Sequence, residues 1–115
     1  MIPSGVEVFI SLDPVSMHLS FDRLAGLVEA EMRRSVRSAS LFIFLNRRRT
    51  SLKALFHDGT GMCIFYKRID RSRFHLPPVL DDQRVVLLTE SALHELLDGL
   101  AITVTGVRRP TPPVH

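Results

Sequence analysis

The sequence predicts an α+β fold: a single domain with a mostly antiparallel sheet, arranged as a β-hairpin meander, and two helices packed on one face. Three observations predict it. Apolar residues recur at helical spacing in two separate segments. Five or six short runs carry strand patterning. The central runs follow one another through tight-turn signals, which favours hairpins. At 115 residues, two independent cores would each be near the lower limit for folding. Hydrophobic residues at 45% and charged residues at 23% argue against disorder over the whole chain. The longest clear apolar run, Leu41 to Leu45, is far too short to span a bilayer.

The first strand is expected over residues 6–12, with Val6, Val8, Ile10 and Leu12 on one face. Asp13-Pro14 breaks it. A helix follows over residues 21–34, with Phe21, Leu24, Ala25, Val28 and Met32 as its apolar stripe. Ser20 is its expected N-cap, and Asp22 favours the positive end of the helix dipole. Residues 35–40 are Ser-rich and read as a loop. Leu41-Phe42-Ile43-Phe44-Leu45 is continuous and apolar, the pattern of a strand buried on both faces. Asn46-Arg47-Arg48-Arg49 interrupts it, and Leu52 to His57 resumes, which gives a hairpin with a basic tip. Asp58-Gly59-Thr60-Gly61 is a turn, because glycine accepts positive φ at little cost. Met62 to Lys67 is the third strand of the meander; Arg68 to Phe74 either extends it or leaves it. Beyond the Pro77-Pro78 and Asp81-Asp82 loop, Val85 to Leu88 is a short strand. Thr89 caps a second helix carrying Leu93, Leu96, Leu97 and Leu100, and Gly99 can end it. Ile102 and Val104 alternate in a last strand over residues 101–107. The domain is expected to span residues 1–107, and the Pro-rich tail 108–115 is expected to be disordered.

The formal charge of +3 conceals a dipolar chain. Residues 1–33 carry −3, residues 34–73 carry +8, residues 74–107 carry −4 and the tail carries +2. The central basic groups are Arg34, Arg37, Arg47, Arg48, Arg49, Lys53, Lys67, Arg68, Arg71 and Arg73, and nearly all fit on adjacent turns and strand ends of one meander. Eight of the ten are arginine, whose planar fork matches phosphate oxygens. Clustered cations also gain counterion release on a polyanion. The competing reading is a solvated basic loop that partly pairs with the acidic segments. Phe42, Phe44, Phe65 and Tyr66 interleave with the basic groups, and core packing explains them better than base stacking.

No catalytic constellation emerges. His18, His57, His75, His94 and His115 lack metal-ligand spacing. Cys63 stands alone in an apolar strand and reads as a buried structural thiol. His57 and Asp58 are adjacent, so in a strand they point to opposite faces and make a poor dyad. The glycine turn lacks the lysine and spacing of a P-loop. A two-metal nuclease needs converging carboxylates, and only Asp58 and Asp70 lie in the centre. No cofactor and no metal are expected. With no basic n-region and apolar h-region at the N-terminus, the expectation is a soluble cytoplasmic protein with no membrane partner.

The order of segments resembles a known family. It is carried by Met17-His18-Leu19-Ser20-Phe21-Asp22-Arg23-Leu24, by Leu41-Phe42-Ile43-Phe44-Leu45-Asn46-Arg47-Arg48-Arg49, by Leu52 through Gly61, and by Cys63-Ile64-Phe65-Tyr66-Lys67-Arg68-Ile69-Asp70 with Arg73-Phe74. These blocks, over about residues 1–100, resemble the small accessory proteins called TnpB of the insertion-sequence-66 family of bacterial transposable elements. The chain departs from the usual pattern at His18, at Arg23, around Phe56-His57 and in its C-terminal segment. The resemblance implies a non-catalytic accessory to transposition, encoded beside a separate transposase, and supplies no catalytic residues. Two expectations follow. In the first, Arg47, Arg48 and Arg49 at the tip, flanked by Lys53, Lys67, Arg68, Arg71 and Arg73, contact the phosphates of transposon-end DNA. In the second, the domain docks on the transposase without itself binding DNA.

Overall fold

The computed structural model describes residues 2–78 and 82–110. Among the described residues the sheet has six strands: β1 (Glu7–Ser11), β2 (Ser40–Leu45), β3 (Ser51–His57), β4 (Met62–Arg68), β5 (Val85–Leu88) and β6 (Val107–Arg108). Their spatial order is β4-β3-β2-β1-β5-β6. The β2-β3-β4 meander is antiparallel throughout, as are the β1–β5 and β5–β6 pairs. Strands β1 and β2 alone run parallel, in register Glu7↔Ser40 to Ile10↔Ile43. The mostly antiparallel α+β class is therefore as the sequence predicts.

Helix placement differs from expectation. Helix α1 (Phe21–Leu27) and helix α2 (Glu90–Leu97) lie on opposite faces of the sheet, not on one. Leu24, Val28 and Met32 pack on Phe9, Phe42, Phe44 and Leu55. Ala92, Leu93 and Leu96 pack on the other side, among Val8, Ile10, Leu41, Ile43, Leu52 and Ala54. The cause is in β2, which is buried at all six positions. A strand apolar on both faces needs cover on both. The parallel β1–β2 pair supplies one cover, since parallel neighbours need a long crossover, and this crossover carries α1. Phe9 and Phe42, side by side on the α1 face, stack at 5.5 Å between ring centres.

The first helix is less regular than its periodicity suggests. After Leu27 it widens into a π-helical turn, Val28–Met32, which ends at Arg33 in the left-handed conformation (φ 56°). Ser20 starts α1, but its side chain makes no capping bond. Thr89 does cap α2, its side chain accepting from the Ala92 N–H. Gly99 ends that helix region at φ +73°, and an added Cβ there would lie 2.6 Å from Ile69 Cδ1. The expected last strand is instead a 3₁₀ turn, Val104–Gly106, followed by the short β6. Gly106 lets this turn lie directly on α2: an added Cβ would sit 2.6 Å from Ala92 Cβ. Strand β6 takes in Arg108, the first residue of the expected tail, while residues 111–115 and Asp81 lie outside the described residues.

Candidate nucleic-acid interface

Strand directions decide which charged residues meet. Strand β2 runs toward the 46–50 turn, β3 runs away from it, and β4 returns toward it. Strand β1, parallel to β2, delivers the 12–18 loop to the same end of the sheet. Asn46 builds the turn there. Its Oδ1 accepts from the Thr50 N–H (2.9 Å) and the Ser51 N–H (3.0 Å), while its Nδ2 donates to Thr50 Oγ1 (3.0 Å). Arg49 takes the left-handed conformation (φ 59°) that closes the turn. Arg47 and Arg48 project as exposed residues, and Arg49 is half-buried.

Residues 69–74 leave the sheet and strap onto this tip. The Ile69 N–H donates to Thr50 O at 2.9 Å, and the Phe74 N–H to Arg49 O at 2.7 Å. Phe74 anchors the strap, with its side chain buried in the α2-side core. Arg71 and Arg73, both exposed, are thereby held beside the tip, and exposed Arg68 ends β4 at the same edge. Asp13 at this end of the sheet is already bound to Arg84 at 2.7 Å. The hydrogen bond to Asp13, and then the Asp13 charge, raise the Arg84 pKa.

Two of the expected contact residues turn out to be occupied within the fold. Lys53 is buried, and its ammonium donates to Met17 O and Leu19 O, each at 2.7 Å, beneath the Tyr66 ring. Lys67 donates to Leu97 O at 2.7 Å, on the α2 side. Arg34 and Arg37 precede β2 and so lie toward the opposite end of the sheet from the tip. The guanidinium of Arg34 covers the Phe9 ring at 4.9 Å. The basic segment thus divides, and the part that converges is Arg47, Arg48, Arg49, Arg68, Arg71 and Arg73.

The turn at the far end is self-contained. Asp58 Oδ1 accepts from the Thr60 N–H, the Thr60 hydroxyl and the Gly61 N–H at 2.9–3.0 Å. The Thr60 bonds and then the Gly61 bond hold the Asp58 pKa down at about 2. His57 Nδ1 accepts from the Gly59 N–H, so both members of the doubtful dyad serve the turn. Cys63 is half-buried, not buried as expected, and its thiol donates to Asp58 Oδ2 at 3.6 Å. Partial burial, then the Asp58 charge, push its pKa up, away from a reactive thiolate.

Sequence reasoning missed the neighbours of the tip. A cleft of about 440 Å³ separates it from the 14–18 loop and is lined by Ser16, His18, Asn46, Arg47 and Arg48, among others. A smaller one of about 200 Å³ lies on the other side, reaching Arg49 and Leu76. Nothing in the spacing of His18 pointed to the tip; only the parallel β1–β2 pairing brings it there.

No helix of the described residues is long and apolar enough to cross a membrane. No solved structure matches the chain. Two curated relatives come from Sinorhizobium fredii (strain NBRC 101917 / NGR234). The uncharacterized protein y4hO is 33% identical over 102 residues, covering 87% of each chain. The uncharacterized protein y4jC is 27% identical over 108 residues, covering 93% of this chain and 92% of its own. The model of the IS66 Orf2-like protein family matches residues 6–106, from the edge of β1 through the 3₁₀ turn, and so the chain belongs to that family.

Proposed function

We propose that this chain is a non-catalytic accessory factor in DNA transposition that holds DNA phosphates at the basic end of its sheet. Family membership supports a transposition-associated accessory role. One observation carries the finer reading: the 69–74 strap brings Arg71 and Arg73 onto the Arg47-Arg48-Arg49 tip through two backbone bonds to Arg49 and Thr50. Arginine forks meet phosphate oxygens with two parallel bonds, so they lose less entropy per hydrogen bond than lysine does. Lys53 supports the site from below and is not itself a phosphate contact. The partner is duplex DNA of the transposon ends, alongside the separately encoded transposase.

The test is binding to transposon-end duplex across a salt series. Each phosphate neutralised steepens the log–log slope by about 0.9. The triple variant Arg47→Glu, Arg48→Glu, Arg49→Glu is expected to lose at least two such steps while remaining folded. An unchanged slope, or no binding by the unaltered chain, would remove the reading. A transposase pull-down that survives nuclease treatment, together with absent DNA binding, would favour direct docking in its place.

A further inference from the structure

Strand β4 forms one edge of the sheet. Its seven residues pair with β3 one for one, from Ser51↔Arg68 to His57↔Met62, without a bulge. In an antiparallel ladder, alternate residues turn both backbone groups toward the neighbour. Bonds at the two ends set the phase here. The Asp58 N–H donates to Gly61 O at 3.1 Å, and the Ile69 N–H to Thr50 O at 2.9 Å. Gly61, Cys63, Phe65, Lys67 and Ile69 therefore face β3. Met62, Ile64, Tyr66 and Arg68 turn their N–H and C=O groups outward. Among the described residues no strand pairs with that side.

Long edge strands are ordinarily guarded by a central charge, a proline or a bulge. From Met62 to Tyr66 this edge has none of these, and Tyr66 is 54% exposed. Charge gathers only at its ends, with Lys67, Arg68, Asp70 and Arg71 (net basic) at one and Asp58 at the other.

We propose that β4 is a self-association edge: two copies of this chain join by antiparallel β4–β4 pairing about a two-fold axis at Phe65, making one continuous sheet. The occupant is a second copy because the edge complements itself. With Phe65 opposite Phe65, Ile64 faces Tyr66 and Met62 faces Arg68, so all four outward residues of each strand find backbone partners. Centring on Ile64 instead would leave Arg68 opposite Thr60, in the turn. In the Phe65 register, Tyr66 of each copy lies against Ile64 of the other on the α1 side, an aromatic–β-branched pair. The two Phe65 side chains meet on the α2 side. The Lys67-Arg68 end of each copy approaches the Asp58 turn of the other, where a parallel arrangement would set basic end on basic end. A two-fold arrangement of this kind closes, so it yields a dimer and not a filament. The proposal is independent of whether the chain holds DNA.

The test is sedimentation velocity of the full chain, without DNA, from micromolar to millimolar concentration. The expected result is a reversible shift to twice the 13.0 kDa monomer mass. Tyr66→Pro removes an outward N–H and no bond to β3. Losing that donor twice per dimer is expected to weaken association on the order of thirtyfold. Amide exchange keeps the proposal falsifiable if that variant misfolds. In the unaltered chain, protection of Ile64 and Tyr66 should rise with concentration, while Cys63, Phe65 and Lys67 stay protected throughout. A monomer at every concentration, or exchange at Ile64 and Tyr66 that does not change with concentration, overturns the proposal.

Discussion

Replacing Lys53 by methionine keeps the apolar stem and removes the ammonium. In the fold that group belongs to a residue only 8% exposed. It donates two 2.7 Å bonds to the carbonyls of Met17 and Leu19 and lies 4.9 Å from the Tyr66 ring centre. Bonds from a charged donor contribute a net ~1.5–3 kcal/mol each, and the ring adds ~0.5–1 kcal/mol. Methionine also escapes the desolvation cost of an ammonium, itself several kcal/mol, which cancels much of that loss. What remains is dominated by the two half-buried carbonyls left without a donor, at about 1 kcal/mol each, the low end for an unsatisfied group. The expected net destabilisation is about 2 kcal/mol. Urea denaturation reads it as a lower midpoint with unchanged slope. DNA binding by the variant, measured while it is folded, should keep the full salt dependence. Arg48→Ala should do the reverse, lowering the salt slope by about one unit with stability unchanged within ~0.5 kcal/mol. A Lys53→Met variant of unaltered stability that loses a unit of salt slope would refute this assignment.

Arg49→Gly relieves a left-handed residue of ~1–2 kcal/mol of strain against an unfolded-state entropy cost of ~0.5–1 kcal/mol. Chemical denaturation should find it neutral to slightly stabilised, while binding loses one phosphate contact. Gly106→Ala forces a methyl against Ala92 Cβ, and a loss of ~1–3 kcal/mol is expected in the same assay. Asp58 titrates at about 2 in the folded chain, below its ordinary 3.8. Its contribution is complete above pH ~4 and disappears as pH falls through about 2. In Asp58→Asn the denaturation midpoint should lose that part of its acid dependence.

Much of this architecture is legible in local pattern. The apolar run Leu41–Leu45 announces a strand buried on both sides, and Thr89 and Gly99 bracket α2 by their chemistry. The same run held the information that contradicts helices on one face. It becomes usable only once β1 is known to pair parallel to β2, a long-range fact that periodicity does not carry. The candidate site divides along the same line. Arg47 and Arg48 follow from turn signals, whereas the strap that adds Arg71 and Arg73 depends on two tertiary backbone bonds. Lys53 shows why charge counting misleads. On a strand its neighbours in sequence face the opposite side, and its actual partners lie 34 and 36 residues away.

The first strand of the chain stands in the interior of the sheet, between β2 and β5. On the ribosome this order imposes a wait. The β2-β3-β4 meander can form from local turns as soon as residue 68 has emerged, and β1 can join it through β2. The other edge of β1 stays open until residues 85–88 are made, and the α2-side core around Val8, Ile10, Leu41 and Ile43 stays bare until α2 follows. Non-local pairings of this kind are slow to close and leave apolar surface exposed meanwhile. A nascent chain stalled or cut before β5 thus displays the middle of a sheet as if it were an edge, and residues 85–108 close it.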